Sequence, residues 1–159
     1  MAFEKAKAYL RMKGFEDRII VTDHSSATVA EAAEAIGCHP GMIAKTLSFL
    51  VGEKPVLILT DGTSRIDNRK YKETFSCKAK MIPPDRVEHL IGHGIGGVCP
   101  FGVNEGVTVY LDESLKRHDI VYPAAGHDHS GVKLAIQELE QCSGYSGWIS
   151  ECRETGEGQ

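Results

Sequence analysis

Two parts of the sequence have residue types and spacing that could do chemistry. One is the stretch GIGGVCPFG at Gly94–Gly102, with four glycines, one proline and a thiol as its only ionisable group. Glycine permits positive φ and close approach to the main chain. Such a bend can aim several N–H groups at one point and form an anion or oxyanion pocket. The other is Lys45, at the start of KTLSFLV. Strand alternation puts Lys45 on one face with Leu47, Phe49 and Val51, and Thr46, Ser48 and Leu50 on the other. An ammonium that continues an apolar face either meets an anion in a pocket or snorkels to solvent from the strand's first position. Period alone leaves both open.

Other chemistries fit less well. The glycine stretch lacks the G-K-[ST] ending of a phosphate loop, and its spacing breaks the dinucleotide fingerprint. Cys99 is a candidate nucleophile, with His89, His93, His127 or His129 as base, but no spacing selects a partner and packing of the turn is the simpler role. Five cysteines without C-x-x-C spacing disfavour a disulfide framework or a zinc ribbon and fit reduced thiols. His127-x-His129 offers two imidazoles without a third ligand in view, so no metal is expected, and no other cofactor is implied.

Composition narrows the class. With 159 residues, 42% of them hydrophobic, one domain over residues 1–152 can bury a real core, followed by a frayed tail at 153–159. A net charge of −4 opposes bulk coating of nucleic acid but allows a local basic patch. Between Arg65 and Lys80 six basic residues (Arg65, Arg69, Lys70, Lys72, Lys78, Lys80) face two acidic ones, Asp67 and Glu73. Such a patch suits phosphate contact, although a solvated helix face explains it equally well. No apolar run approaches the roughly 20 residues that cross a bilayer, and the N-terminus lacks a signal-peptide core, so a cytoplasmic protein with no membrane contact is expected.

The elements that must position these residues alternate between helix and strand. MAFEKAKAYLRMKG reads as an amphipathic helix with Phe3, Ala6 and Leu10 on one face. Ile19–Thr22 is a strand, and Thr28 with Glu31 forms a capping box for a helix through Ile36 that Gly37 ends. Lys45–Val51 and Pro55–Thr60 form a hairpin around Gly52-Glu53-Lys54. Asp67 caps a helix to about Phe75, Ala79–Ile82 is a strand, and Pro83-Pro84 opens a helix to about Leu90. Val107–Asp112 and Ile120–Pro123 are strands, and Ala135–Cys142 is a helix stopped at Gly144. No repeat is visible. The pattern is a mixed α/β fold.

The order Ala33…Gly37, Ala44-Lys45-Thr46-Leu47, Gly96-Gly97-Val98-Cys99-Pro100-Phe101-Gly102 and Val121…Gly126 resembles the YbaK/ProX family, from about Ile19 to about Cys142. These are aminoacyl-tRNA deacylases related to the editing domain inserted in bacterial prolyl-tRNA synthetases. The resemblance implies a mixed, strongly curved, barrel-like sheet surrounded by helices. It also implies hydrolysis of the ester that joins a mischarged amino acid, of the Cys- or Ala-tRNA(Pro) type, to the tRNA 3′ end. Lys45 matches the lysine that orients the substrate, and Gly96–Pro100 matches the G-x-x-x-P loop whose main chain faces the ester.

On that basis Lys45, Gly96, Gly97, Val98 and Cys99 form the expected catalytic group. Thr46, Pro100, Phe101, Gly102, His24, Gly126 and Ser130 are expected to bind substrate, and Arg65, Arg69, Lys70 and Lys72 the tRNA. Cys99 stands where serine is common, which weakens a thiol role further. The late aspartate of the Cys-tRNA deacylases has Gly131 in its place here, with Asp128 three residues earlier, so the departure at Gly126–Ser130 leaves the choice of substrate open. Expected partners are aminoacyl-tRNA and, in some settings, a synthetase. The alternatives are a non-catalytic module that binds tRNA or a synthetase, and a small-molecule-binding domain using the same pocket.

Overall fold

The computed structural model describes residues 2–153. The chain starts with α1 (Ala2–Lys13), which buries Ala6 and Leu10 as the amphipathic pattern requires. After β1 (Ile19–Val21) comes α2 (Val29–Ile36). Thr28 caps it by accepting from the Glu31 N–H, and Gly37 closes it at φ 87°. The Glu31 carboxylate does not complete the box. It accepts instead from Ser25 Oγ at 3.1 Å.

The hairpin β2 (Ala44–Val51) and β3 (Lys54–Asp61) follows, antiparallel with Ala44 opposite Asp61 and Lys45 opposite Thr60. Asp67 accepts from the N–H groups of Arg69 and Lys70 and so caps α3 (Asn68–Phe75). Next come α4 (Pro84–Ile91), β4 (Thr108–Asp112), β5 (Ile120–Val121), β6 (Ser130–Val132), β7 (Leu134–Ala135), α5 (Ile136–Cys142) and β8 (Gly147–Ile149).

A four-stranded sheet in the order β2-β3-β4-β8 forms the framework, mixed because β3–β4 and β4–β8 are parallel. One face, through Ala44, Leu50, Leu57, Leu59 and Leu111, packs on Leu10 of α1, Val87 and Ile91 of α4, and Leu139 of α5. The other, through Phe49, Val56 and Ile58, packs on Tyr71 of α3, with Phe75 against it. Ala32 and Ala33 of α2 close on Ile43 and Tyr122 beside the sheet.

The mixed α/β expectation holds, but the barrel-like one does not. No sheet closes. β5, β6 and β7 have two or three residues each and pair in separate two-stranded ladders, β1-β6 and β5-β7, rather than carrying the main ladder round. Ala79–Ile82, expected as a strand, makes a single antiparallel bridge, Met81 to Phe49. Beyond Cys152, the Arg153 N–H donates to Arg65 O, and the rest of the expected tail, 154–159, lies outside the described residues. Among the described residues no helix is long and apolar enough to cross a membrane.

Candidate functional site

The edge strand β2 and the glycine loop meet across a cavity of about 240 Å³. One wall is Ala44, Lys45, Thr46 and Ser48, and the opposite wall is Ile95, Gly96 and Val98. Ser26 and Ser130 close it on a third side, and Met81 and Ile95 stand exposed at its mouth. Among its described lining residues there is no carboxylate and no imidazole.

The loop is built on backbone pairing. Gly97 N–H donates to Gly94 O (3.1 Å) in a turn, Gly96 takes φ 90°, and Gly126 N–H donates to Gly97 O (3.1 Å). Gly97 must be glycine because a Cβ there would lie 2.4 Å from the Gly126 carbonyl carbon and from His127 N. With the Gly97 N–H committed, the N–H groups of Gly96, Val98 and Cys99 have no partner among the described residues. Gly96 and Val98 also line the cavity.

Pro100 and Phe101 are buried behind the loop, with the Phe101 ring 6.3 Å from that of Tyr9. Gly102, at φ 72°, lies against the backbone of Lys5. Buried His93 ties the same turn through Nε2 and Phe101 O, 2.6 Å apart.

The Cys99 thiol is fully buried, beside Phe101 O at 3.8 Å, and burial pushes its pKa up to about 12. It is therefore a neutral thiol at physiological pH. If the cavity is a hydrolytic site, Cys99→Ser is expected to keep its rate within about twofold, whereas loss of a nucleophile costs several orders of magnitude. Single-turnover kinetics of the variant decides this.

Lys45 follows the strand alternation: it shares its face with Leu47, Phe49 and Val51, while Thr46 and Ser48 share the other with Ala44. It is half-buried, and burial lowers its pKa from the ordinary lysine value. Its ammonium donates to Ser64 O at 2.5 Å. No carboxylate forms an ion pair with it among the described residues; Asp61, opposite Ala44 on β3, acts on it only through its field. Burial pushes the Asp61 carboxyl up, but hydrogen bonds from Thr63 and His118 outweigh it and hold the group ionised. Asp61 accepts from Thr63 N–H and Oγ1 (both 2.7 Å), contacts His118 Nε2 (2.6 Å) and pairs with Arg117 (3.5 Å). Arg117 also donates to Ser64 Oγ (3.3 Å), so this network fixes the turn that holds Lys45.

Ser130, expected at the site, is buried in the cavity wall. Its N–H donates to Ser26 Oγ (3.0 Å), and its Oγ accepts from Ala125 N–H (3.0 Å) and donates to His127 O (2.9 Å). Gly126 supports the loop from behind. His24 lies apart, in a separate depression with Ser25, Glu31 and Glu34. Asp128 supplies the third ligand-capable atom that the sequence reading left out, within 4.8 Å of those of His127 and His129. Internal bonds engage all three: His129 N–H donates to His127 Nδ1, and His129 Nδ1 lies 2.9 Å from Asp128 Oδ1.

Arg69 and Lys72 project from α3 into a depression shared with Lys78 and Ala79. Arg65 is exposed, and Lys70 turns to Cys152 O at 2.8 Å. Ser26, Ser48, Tyr122, Met81 and Ile95 also line the cavity, and no motif in the sequence marks them.

Residues 23–142 match the aminoacyl-tRNA editing domain. An uncharacterized Bacillus subtilis protein, YwhH, is 41% identical over 155 residues, covering 97% of this chain and 99% of that protein. A proline–tRNA ligase of Limosilactobacillus fermentum is 33% identical over 95 residues, 56% of this chain and 17% of the ligase. A solved structure described as "a putative trans-editing enzyme for prolyl tRNA synthetase" superimposes with a TM-score of 0.85 at 28% identity, over 96% of this chain and 97% of that one. With its loop, lysine and edge strand in one cavity, this chain belongs to the aminoacyl-tRNA editing domain family.

Proposed function

We propose that the protein is a free-standing trans-editing hydrolase that deacylates mischarged aminoacyl-tRNA, with Cys- or Ala-tRNA(Pro)-type substrates. The observation that carries this reading is the cavity itself. It sets Lys45 and the β2 edge against main-chain donors of the glycine loop, within residues that match the editing domain. In the reaction, water adds to the ester carbonyl carbon, the bond from that carbon to the ribose oxygen breaks, and the water's proton passes to the ribose oxygen. The products are the free amino acid and the tRNA 3′-terminal hydroxyl.

The free N–H groups of Gly96 and Val98 stabilise the oxyanion, each such donor being worth about 10²–10³ in rate. An ammonium has three donors, and Lys45 uses one on Ser64 O, so two remain for the ribose or terminal phosphate. A cavity without carboxylate or imidazole supports a substrate group as the base for the water.

The tRNA body lies toward α3. Lys78 and Ala79 border the basic depression, and Met81, two residues on, borders the cavity mouth, so this segment leads from one to the other. Replacing Arg69 and Lys72 together by alanine is expected to weaken tRNA binding. The slope of log affinity against log salt falls by about two, one per lost phosphate contact. An unchanged slope removes α3 from the interface.

Hydrolysis rates across a panel of aminoacyl-tRNAs test the reading. At least one mischarged species is expected to be hydrolysed well above its rate in buffer. Binding without hydrolysis of any would favour the alternative, a tRNA- or synthetase-binding module of the same fold.

A further inference from the structure

The outer edge of β2 is paired at both ends and open in the middle. Ala44 N–H donates to Tyr122 O (3.1 Å), Ile82 N–H donates to Ser48 O (3.1 Å), and Leu50 N–H donates to Lys80 O (2.8 Å). These three bonds show that the even-numbered residues of β2 turn their backbone groups away from β3. The N–H and C=O of Thr46 therefore both face the break in the edge, and neither has a partner among the described residues. Thr46 Oγ1 is likewise buried without a partner. Tyr122 and Met81, the bridging residues on either side, both line the cavity, as do Ala44, Thr46 and Ser48. The cavity thus occupies the break. From Ala44 to Ser48 it spans about 13 Å at ~3.3 Å per residue, room for a single extended residue.

Thr46 is half-buried at the cavity wall, and a donor–acceptor pair left open there marks a place for a ligand's complementary pair. In an antiparallel ladder a hydrogen-bonded pair exchanges both bonds between two residues. An α-aminoacyl ester carries its nitrogen donor and carbonyl acceptor on either side of one carbon, as a peptide residue does.

Resting on the deacylase reading, we propose that the aminoacyl group docks as a one-residue strand opposite Thr46. Its α-ammonium donates to Thr46 C=O, and its ester carbonyl accepts from Thr46 N–H. The carbonyl's second lone pair is left for the Gly96 and Val98 donors. The site therefore reads the α-amino group of the acyl chain, and Thr46 is a substrate-positioning residue through its main chain.

The test compares alanyl-, lactyl- and propionyl-tRNA, each rate divided by that analogue's rate in buffer. The expected order is alanyl, then lactyl, which keeps an uncharged donor, then propionyl, with at least about a tenfold fall from first to last. Thr46→Val keeps the N–H and removes the hydroxyl. Thr46→Pro also removes the N–H, which the sheet does not use, so the ladder loses no bond. Thr46→Pro is expected to be at least about tenfold slower than Thr46→Val at an equal melting temperature.

Equal enhancement of propionyl- and alanyl-tRNA overturns the pairing, as does Thr46→Pro matching Thr46→Val. If Thr46→Pro fails to fold, the analogue series on the wild-type protein decides. If the wild type hydrolyses no alanyl-tRNA, the deacylase reading loses its support while the pairing is still read by titration calorimetry. Tighter binding of 3′-alanylamino-3′-deoxyadenosine than of its propionyl counterpart supports it. Equal binding, or none, overturns it.

Discussion

Lys45→Ala is expected to lower kcat/KM for deacylation by at least about a hundredfold while leaving the melting temperature nearly unchanged. The kinetic loss follows from the position of the ammonium. It is half-buried at the cavity wall and held at 2.5 Å by Ser64 O, on a turn fixed by Asp61, Arg117 and Thr63. A cation placed this firmly orients a ribose or phosphate before the reaction, and misplacement by about 1 Å can cost a hundredfold. Stability is largely spared because the Lys45 side chain makes one hydrogen bond, to Ser64 O, and removal of a desolvated ammonium offsets its loss. Lys45→Arg keeps the charge but moves it outward and spreads it over a plane, so it recovers only part of the rate. Initial-rate kinetics with calorimetric melting separates the two effects. Full activity in Lys45→Ala removes the residue from the mechanism.

Gly97→Ala should do the reverse and damage both quantities. Its new Cβ would sit 2.4 Å from two backbone atoms of the Gly126-His127 segment, neither of which can rotate aside as a side chain does. The loop must move off Gly126, and the Gly126 N–H to Gly97 O bond goes with it. Overpacking of this kind costs about 2 kcal/mol, or about 5 °C in Tm for a chain of this size. The displaced Gly96 and Val98 donors should cost at least about a further hundredfold in rate. Gly147→Ala is the control, because a Cβ there meets nothing within 4 Å and its φ is not positive. It should change neither stability nor rate. A Gly97→Ala protein as stable and active as wild type would mean that the contact between the loop and Gly126 is not rigid.

Local patterns were legible where local physics decides. Thr28 and Gly37 delimit α2, Asp67 caps α3, and the β2–β3 hairpin runs in the expected place, because caps and turns depend on residues within a few positions. Alternation also placed Lys45 with Leu47 and Phe49. What it could not supply is the partner. Ser64, whose carbonyl holds the ammonium, lies in the turn beyond β3 and arrives through hairpin register.

The barrel expectation failed for a similar reason. Strand length and closure are set by packing of short late segments that carry little pattern of their own, such as Ser130–Val132 and Leu134–Ala135. The open β2 edge is the other side of that failure, and it forms the cavity's wall. The glycine loop was recognised by composition, yet the reason Gly97 must be glycine sits about thirty residues away in Gly126-His127.

In the proposed function the β2 edge and the glycine loop form an ester-hydrolysing pocket for aminoacyl-tRNA. The most direct measurement is the decay of alanyl-tRNA(Pro), cysteinyl-tRNA(Pro) and prolyl-tRNA(Pro) with wild-type protein, with Lys45→Ala and in buffer. The expected result is rapid decay of a mischarged species with wild type alone, and prolyl-tRNA(Pro) left at its rate in buffer. Decay of all three at the buffer rate, or equal decay with wild type and Lys45→Ala, would contradict it.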